Sequence, residues 1–487
     1  METIAVLDIG KTNKKILLFD KALKVQAQVT KNFDPLAYEG IRIEDTQGLV
    51  SWLAAEFKKL SVQYDIKCVS VTTHGATIAC LDEKGELVYP VIDYTIDPGE
   101  AFHKEFYEFC GSADRLQRET ATPNLGSLIN PAKTLFYLKR KAPQAFSRIR
   151  HILNYPQYFG HLMTGKPGME PTYVGCHTYL WDLNKKAWSD VAKKLGVTSF
   201  LPTEMKNSWS VLGTVSPSWA GKSGLAENAL VTMGIHDSNA SLLPYLVQNH
   251  GDFVLNSTGT WCVAMHPGKS LSFADDEIGK IVFYNLDAFD RPVKTAIFMG
   301  GLEYDSYAKV LAGLHPGKTS TVYNADLYQK IVREKKYFII PGVVQGTGQF
   351  PTSSPNAIGD DITVSLEELQ SGKNFPAFFK DYDVAIATLN LSVAIQTKVA
   401  LDRAGVRAGT SIYTEGGFRK NEGYNRLLSA FYPESKVALT SMAEATAFGA
   451  ALLGKAALDQ VTPLELKKDF SIEFQDVAAT RLEGLDE

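Results

Sequence analysis

The chain has 487 residues, more than one hydrophobic core usually supports, so its length predicts about two to four domains. With 50 lysines and arginines against 54 aspartates and glutamates, the formal net charge is -4, which excludes an overall basic field for nucleic acid or an anionic membrane. The 5 cysteines form no CxxC pair, and no stretch approaches the roughly 20 apolar residues of a membrane span. We therefore expect a cytoplasmic protein with small-molecule partners.

The N-terminal segment predicts a strand, a tight turn and a returning strand. Residues 4–8 are an apolar run typical of a buried strand, residues 9–13 contain a glycine turn, and residues 15–19 are again mostly apolar. A turn of Gly with Ser or Thr offers backbone N–H groups and hydroxyls where no Cβ blocks close approach, which suits a phosphate. The pattern also describes an ordinary hairpin, so alone it leaves both interpretations open.

Helical and strand patterns then alternate, which is typical of an α/β fold. Helices are predicted near residues 44–60, 131–142 and 189–195, and a strand near residues 68–72. His74 follows this strand, where a ring nitrogen can hydrogen-bond a hydroxyl, although a lone histidine more often has a structural role. A second apolar strand, residues 230–233, leads to Asp237 at the start of a helix, which is also an ordinary N-cap position.

The N-terminal pattern occurs a second time near the middle of the chain. Residues 252–256 predict a strand, residues 257–260 a turn of Ser, Thr and Gly, and residues 261–265 a returning strand. The equivalent residues Asp8 and Asn256 are 248 positions apart, close to half the chain. We interpret this spacing as a duplicated domain, with units at residues 1–246 and 247–487. Two such turns facing each other would hold a polyphosphate.

The C-terminal part predicts a place for a nucleotide. A helical pattern over residues 384–404 and a strand over 411–414 precede Gly416 and Gly417, and a helix follows near residues 421–431. Residues 443–452 form a helix of small side chains, which favours tight packing against a neighbouring backbone. The tail after residue 458 is expected to pack back on the body of the protein.

Five segments resemble, in this order, motifs of the FGGY carbohydrate kinases. They are DIGKTN (residues 8–13), GIHDSNA (234–240), STGTW (257–261), GGFRKN (416–421) and EATAFGAA (444–451). The resemblance runs from residue 4 to about residue 455. It implies two actin-like, ribonuclease H-like α/β domains with ATP and a sugar bound in the cleft between them.

The resemblance also implies a role for individual residues on the ATP side. The first phosphate loop would contain Asp8, Gly10, Lys11, Thr12 and Asn13, and the second would contain Ser257, Thr258, Gly259 and Thr260. Asp8 would also help to place Mg²⁺. The adenosine site would be lined by Gly416, Gly417 and Asn421, with Glu444 and Ala445 nearby.

On the acceptor side, the resemblance places the catalytic base at Asp237. Its carboxylate would accept the proton of a sugar hydroxyl, with positioning and Mg²⁺ as the larger contributions, and the helix N-terminus would favour the ionised form. Substrate binding is expected from His74, Gly75, Asp97, His236 and Asp237.

The acceptor side departs from the family pattern in three places. Tyr94 replaces a common Trp, Gln157 replaces a common Asp, and residues 172–177 lack the usual Ala-Ser. We therefore predict an ATP-dependent kinase of a ketose or deoxyketose, similar to the fuculose, rhamnulose and xylulose kinases. The alternatives are a catalytically silent sugar-binding or regulatory member of the fold and an actin-like or chaperone-type ATPase. A homodimer is compatible with the sequence.

Overall fold

The computed structural model describes residues 1–248, 250–318, 323–344, 346–442 and 444–485. We call residues 1–248 the first half and residues 250–485 the second half. Strands of the first half are β1 (Glu2–Ile9), β2 (Asn13–Phe19), β3 (Val25–Asn32), β4 (Leu36–Tyr38), β5 (Ile41–Ile43), β6 (Asp65–Thr73), β7 (Ile78–Leu81), β8 (His151–Asn154), β9 (Trp181–Asp182), β10 (Ala187–Trp188), β11 (Val211–Thr214), β12 (Leu230–Thr232) and β13 (Ile235–His236). Its helices are α1 (Thr46–Gln63), α2 (Glu100–Cys110), α3 (Ala113–Thr120), α4 (Pro131–Lys141), α5 (Pro143–Ser147), α6 (Tyr155–Thr164), α7 (Pro171–Val174), α8 (Asp190–Leu195), α9 (Pro217–Ser223) and α10 (Asp237–Gln248).

The second half contains ten of the described strands and six of the described helices. Its strands are β14 (Phe253–Thr258), β15 (Cys262–Pro267), β16 (Val282–Leu286), β17 (Pro292–Phe298), β18 (Phe338–Ile340), β19 (Asn356–Gly359), β20 (Ile362–Ser365), β21 (Ser411–Gly416), β22 (Val437–Thr440) and β23 (Phe474–Asp476). Its helices are α11 (Gly300–Leu314), α12 (Ala325–Glu334), α13 (Leu366–Gln370), α14 (Tyr382–Arg403), α15 (Glu422–Phe431) and α16 (Ala445–Asp459).

Each half is built on one large mixed sheet, and the two sheets share a topology. In the first, β3, β2, β1, β6 and β12 are neighbours in that order, with β1 antiparallel to β2 and parallel to β6. In the second, β17, β15, β14, β21 and β22 follow the same order, with β14 antiparallel to β15 and parallel to β21. The duplicated α/β architecture predicted from the two hairpins is therefore confirmed.

Alternation along β1 places one polar side chain toward the cleft. Ala5, Leu7 and Ile9 belong to the hydrophobic cluster that includes α1, whereas Ile4 and Val6 belong to the cluster that includes α10 and α16. Successive residues of a strand point to opposite faces, so Asp8 shares the face of Ile4 and Val6. Asp8 therefore ends the strand on the side of these two helices.

Helix α10 packs against both sheets. Ala240, Leu243 and Val247 join the cluster of the first sheet, and Leu242 and Tyr245 join the cluster of the second. A helix with apolar residues around most of its circumference is buried, and α10 follows this rule. Its N-terminal end, which begins with Asp237, therefore lies where the two halves meet.

The small-residue helix α16 crosses from the second half onto the first. It packs against α10, β1 and β6. A Cβ at Gly449 would lie 1.8 Å from the carbonyl oxygen of Ala240 in α10, so only glycine allows this approach. The predicted tight packing is confirmed for the described residues of this segment, although its first residue, Ala443, lies outside them.

The C-terminal tail returns to the body as expected. Strand β23 pairs antiparallel with β22, and the amide of Gln248 at the end of α10 donates to the carbonyls of Lys467 and Phe470.

Among the described residues, α14 is the one helix long and apolar enough to cross a membrane, and 67% of its apolar window is buried inside the protein.

A buried carboxyl group joins α10 to the second sheet. Glu415, at the end of β21, accepts a hydrogen bond of 3.2 Å from the Tyr245 hydroxyl, which also contacts Oγ1 of Thr440 at 2.9 Å. Burial raises the pKa of Glu415 to about 7, against the hydrogen bonds from Ser257, Tyr245 and Ser241, which lower it. This group is therefore partly protonated near neutral pH.

Replacement of Gly449 by Ala tests the contact between α16 and α10. The new methyl must displace backbone atoms of Ala240, so we expect the free energy of unfolding to fall by about 2–3 kcal/mol, measured by urea denaturation. Gly313 in α11 is the matched control, since a Cβ there meets open space and Gly313→Ala is expected to stabilise by about 0.4–1 kcal/mol. Equal effects at both positions would contradict the close approach.

Replacement of Glu415 by Gln tests the buried carboxyl group. The folded protein holds this proton more tightly than the unfolded chain, so wild-type stability falls as pH rises from the ordinary value of 4.5 through about 7. We expect Glu415→Gln to keep the contact with Tyr245 and to exceed the wild type in unfolding free energy by about 1–3 kcal/mol near pH 8, with little difference near pH 4. Parallel stability curves for the two proteins would contradict this.

Candidate active site

A cavity of about 280 Å³ lies between the two halves at the N-terminal end of α10. The first half contributes the end of β6, the loop after α7 and the start of α10. The second half contributes the turn between β14 and β15 and parts of β15, β16 and β17. The residues that line the cavity include His74, Tyr94, Cys176, His177, His236, Asp237, Ser257, Thr258, Gly259, Phe283 and Asn285.

Asp237 contributes the one carboxylate among the described residues that line the cavity. Its Oδ1 accepts a hydrogen bond of 2.7 Å from the backbone N–H of Ser238 in the first turn of α10. Burial nevertheless raises the pKa of Asp237, against the opposing effects of His74 and Ser238. The expected stabilisation of the ionised form by the helix N-terminus is therefore present but smaller than the desolvation penalty, and the carboxylate is more basic than in water.

His236 is held against Asp237 by a chain of side chains. Its Nε2 lies 3.2 Å from Oδ1 of Asp237, and its Nδ1 lies 3.2 Å from the side-chain amide of Asn239. The backbone N–H of His236 donates to Oγ1 of Thr172, whose hydroxyl donates to the buried Glu170. Burial lowers the pKa of His236 to about 4, so the ring is neutral at pH 7 and orients Asp237 without adding a charge.

His74 and Gly75 lie directly after β6, where the sequence placed them. Tyr173 fixes this loop, since its hydroxyl contacts the carbonyls of His74 and Thr77 and the N–H of Thr77. Nδ1 of His74 contacts the carbonyl of Gly75, whereas its buried Nε2 has no hydrogen-bond partner among the described residues. A Cβ at Gly75 would lie 2.7 Å from Nε2 of His236, so glycine allows the neighbouring ring to approach.

Cys176 and His177 are cavity residues to which the sequence analysis gave no role. Both follow α7, and the carbonyl of His177 accepts a hydrogen bond from the side chain of Asn130. Burial lowers the pKa of His177 to about 3, with a further decrease from the proximity of His236. The one available signal was the departure of residues 172–177 from the family pattern, because an unusual segment next to a site is a candidate for specificity.

The second half supplies a largely apolar wall. Val263, Phe283 and Ile297 face the cavity with Trp261, and Asn285 adds one amide among them. Opposite this wall, Tyr94 lies with its ring 5.5 Å from that of His74. The cavity therefore combines hydrogen-bonding side chains on one side with carbon-rich surface on the other, the usual composition of a site for a small organic ligand.

The turn of the first hairpin lies close to Asp237. Asp8 is almost fully buried, and burial raises its pKa to about 7, with Lys15 lowering it and Asp237 and Glu444 raising it. Nζ of Lys15 pairs with Glu444 at 2.5 Å, which joins this hairpin to the start of α16. The carboxyl groups of Asp237 and Glu444 therefore both act on Asp8 electrostatically. Gly10 lies in the turn, and Thr12 and Asn13 are exposed next to it.

The ammonium group of Lys11 is paired with two carboxylates and does not lie free at the turn, where it could bind a phosphate. Its Nζ contacts Glu44 at 2.5 Å and Asp93 at 2.7 Å, and both carboxylates are almost fully buried. The same ammonium lies 5.1 Å from the ring centre of Tyr94. Lys11 therefore connects the first turn to the acceptor side of the cavity, and its side chain is already paired in this structure.

The turn of the second hairpin packs on the Gly416–Gly417 segment. Oγ1 of Thr258 contacts the carbonyl of Glu415 and accepts a 3.0 Å hydrogen bond from the N–H of Phe418. Gly416 has φ of +80°, and a Cβ there would lie 2.0 Å from the carbonyl oxygen of Thr258. Gly259, Thr260 and Gly417 remain exposed, although the N–H of Gly259 already donates to the carbonyl of Trp261 at 3.0 Å.

Asn421 caps helix α15. Its side chain accepts from the N–H of Tyr424 and donates to Asn390 of α14 at 2.7 Å. It therefore holds the end of the Gly416–Gly417 segment on the core of the second half. Glu444 is held by Lys15, and Ala445 begins α16 beside it.

Gly300 and Gly301 at the start of α11 were missed by the sequence analysis. A Cβ at Gly301 would lie 2.0 Å from the carbonyl oxygen of Gly259, so this helix end packs directly on the second turn. The signal was present, because a strand, a Gly-Gly pair and a helix also occur at residues 411–431 and were recognised there. Gly300–Gly301 is thus a fourth glycine segment, beside the turns with Gly10 and Gly259 and the Gly416–Gly417 segment.

Two residues named on the acceptor side, Asp97 and Gln157, are not among the described residues that line the cavity. Asp97 does not line the cavity formed by the described residues, and its carboxylate instead accepts from the N–H of Gly99 and contacts His103 at the start of α2. Gln157 is fully buried, and its side-chain amide donates to the carbonyl of Met233, which follows β12 in the segment that leads to Asp237. The position of a residue after a strand in the sequence does not show whether its side chain lines the cavity or stabilises the start of the next helix.

Comparison with known proteins matches both halves. The model of the N-terminal domain of the FGGY family of carbohydrate kinases covers residues 3–244, and the FGGY C-terminal domain model covers residues 250–463. L-fuculokinase of Escherichia coli K12 is 26% identical over 54% of this chain and 56% of its own. Rhamnulokinase of Halalkalibacterium halodurans is 24% identical over 52% of this chain and 54% of its own. The chain thus matches about half the length of these curated relatives.

Solved structures match over almost the whole chain. A carbohydrate kinase from Novosphingobium aromaticivorans has a TM-score of 0.78 and 24% identity, with 99% of this chain and 96% of that chain covered. A xylulose kinase from Lactobacillus acidophilus has a TM-score of 0.80 and 16% identity, with 100% and 95% covered. At this identity the structures establish the two-domain, actin-like fold, and the two family models in chain order identify the protein as a member of the FGGY family of carbohydrate kinases.

Proposed function

We propose that this protein transfers the terminal phosphate of ATP to a hydroxyl group of a small sugar in the cavity between its halves. The observation that carries the proposal is the position of Asp237, a half-buried carboxylate oriented by His236, opposite the exposed glycine turn at Gly259. A base and a phosphate-binding turn on facing walls are what phosphoryl transfer to a hydroxyl requires. Membership of a carbohydrate kinase family supports the same activity.

Asp237 acts as the general base in this proposal. The acceptor hydroxyl donates its proton to the Asp237 carboxylate as its oxygen forms the new bond to the terminal phosphorus, and the bond from phosphorus to the leaving oxygen of ADP breaks. Burial makes Asp237 a better proton acceptor than a free carboxylate, while His236 fixes its orientation. Closure of the two halves around the substrates would exclude water, which would otherwise compete with the sugar.

The phosphate groups of ATP are placed by the glycine turns. Ser257, Thr258, Gly259 and Thr260 form one loop, and the first hairpin turn with Gly10, Lys11, Thr12 and Asn13 forms the other. The adenosine would lie along Gly416 and Gly417, where the absence of Cβ atoms leaves the backbone accessible, and beside Asn421. We assign the first domain to residues 1–246 and the second to residues 247–487, with α16 packing back on the first.

Mg²⁺ fits the donor set around Asp8. Asp237 and Glu444 lie near enough to Asp8 to raise the pKa of its carboxyl group, and carboxylate oxygens are ligands that Mg²⁺ prefers. When bound, the cation would neutralise phosphate charge during transfer. Asp8 is the residue of this chain that we expect to hold it.

The acceptor class is a ketose or deoxyketose. Three neutral histidines, at positions 74, 177 and 236, and the amide of Asn285 supply hydrogen bonds for hydroxyls. The apolar wall with Phe283 and Ile297 suits a carbon that bears no hydroxyl. Similarity to proteins named L-fuculokinase and rhamnulokinase supports this class.

A panel of ketoses, deoxyketoses, aldoses and polyols, assayed for stimulated ADP release with Mg²⁺, tests the activity. We expect at least one ketose to stimulate release, and Asp237→Asn to lower kcat for that sugar by about 10²–10⁴-fold, because the base is lost while the shape is kept. Asp326→Asn, an exposed carboxylate at the start of α12, is the control and should retain wild-type kcat. Stimulation by no sugar would favour a silent sugar-binding protein, and full activity of Asp237→Asn would remove the proposed base.

A second variant tests the acceptor contacts. Nε2 of His74 is buried without a partner among the described residues, so we expect His74→Gln to raise KM for the acceptor by about tenfold, with a smaller effect on kcat. Asp97→Asn is the comparison, because its side chain is 62% exposed and already bound to α2, and KM should change less than about twofold. The reverse ranking of the two variants would restore Asp97 as the sugar contact.

A further inference from the structure

Three potential metal ligands converge in the cavity. One ligand atom each of Cys176, His177 and His236 lies within 4.8 Å of the other two, and all three side chains are buried. A tetrahedral Zn²⁺ separates its nitrogen and sulfur ligands by about 3.4–3.6 Å, so shifts of about 1 Å would complete the geometry. The function proposed above uses His236 to orient Asp237 and to contact the acceptor, and it gives Cys176 no task.

The backbone holds this cluster in place. His177 has φ of +43°, a left-handed conformation that non-glycine residues rarely adopt, and Asn130 binds its carbonyl. A Cβ at Gly75 would lie 2.7 Å from Nε2 of His236 and 3.1 Å from Nε2 of His177. Both nitrogens therefore point to the same place beside Gly75, and any larger residue there would push the rings apart.

We propose that Cys176, His177 and His236 form a binding site for one divalent cation of the zinc class, distinct from the oxygen-rich place at Asp8. A thiolate with two imidazoles is a ligand set that Zn²⁺ and Co²⁺ favour and Mg²⁺ does not. Both imidazoles are uncharged at pH 7 and can offer a lone pair. The adjoining cavity of about 280 Å³ leaves room for a water molecule as the fourth ligand.

Occupation of this site has a chemical consequence for Asp237. The cation displaces the proton of the Cys176 thiol, which leaves to solvent. The proton on Nε2 of His236 moves to Nδ1 of the same ring, so that Nε2 binds the metal in place of its contact with Asp237. The cation also fills part of the space for the acceptor. Zinc would therefore inhibit the enzyme by competing with the sugar, a consequence that rests on the proposed function, whereas the binding itself does not.

Cobalt binding to the nucleotide-free protein tests the site directly. We expect one equivalent of Co²⁺ to produce the near-ultraviolet charge-transfer band of a cobalt–thiolate bond, and added Zn²⁺ to remove the band by displacement. Cys176→Ser should abolish the band and weaken Zn²⁺ binding by at least about 100-fold. Cys80→Ser is the matched control, because Cys80 is equally buried in β7 and should leave the band unchanged.

A second variant keeps all three ligands and tests their convergence. Gly75→Ala places a methyl group between the two rings, so we expect about tenfold weaker Zn²⁺ binding with the cobalt–thiolate band reduced or shifted. Circular dichroism of each metal-free variant establishes that it is folded. Absence of cobalt binding by the folded wild type, or a wild-type band in Cys176→Ser, would overturn the proposal. The assay contains neither ATP nor sugar, so its result is independent of the kinase activity.

Discussion

Helix α10 is the element on which the arrangement of this molecule depends, because it is buried between both sheets. One side contributes Leu243 and Val247 to the core of the first half, and another contributes Leu242 and Tyr245 to the core of the second. Burial of apolar surface on both sides places the helix at the junction of the halves. Its first residue, Asp237, therefore lies at the cleft with its side chain reaching the cavity. The close contact of Gly449 with α10 adds α16 to the same junction.

The two hairpins are duplicates in topology but have different surroundings. The first turn contains Lys11, whose charge is held by Glu44 and Asp93, and it lies near Asp8. The second turn is uncharged and packs on two further glycine segments, at Gly301 and Gly416, through contacts that exclude a Cβ. One copy thus concentrates ionic groups, whereas the other offers exposed backbone. In the function proposed above, both turns place phosphate groups, and the first turn also lies beside the residue expected to hold the cation.

The cavity is notable for neutral hydrogen-bonding groups. Burial lowers the pKa of His177 to about 3 and that of His236 to about 4, and it raises the pKa of Asp237. Desolvation penalises the charged forms of all three, so the site remains close to uncharged apart from its carboxylate. Uncharged donors and acceptors suit hydroxyl groups, which carry no charge to be balanced. The same uncharged imidazoles, beside the Cys176 thiol, also have the chemistry of a metal site.

The amino-acid sequence by itself determined the α/β class, the duplicated hairpins, several of the longer helices and the positions of Asp8, His74 and Asp237 at strand ends. These features follow from local periodicity and turn chemistry, which a single segment expresses. Only the tertiary structure decided that Cys176 and His177 join His236, that Gly301 packs on Gly259, and that Asp97 bonds α2 outside the cavity. Such contacts join residues far apart in the chain, and their distances are set by how the sheets and helices pack rather than by any local pattern.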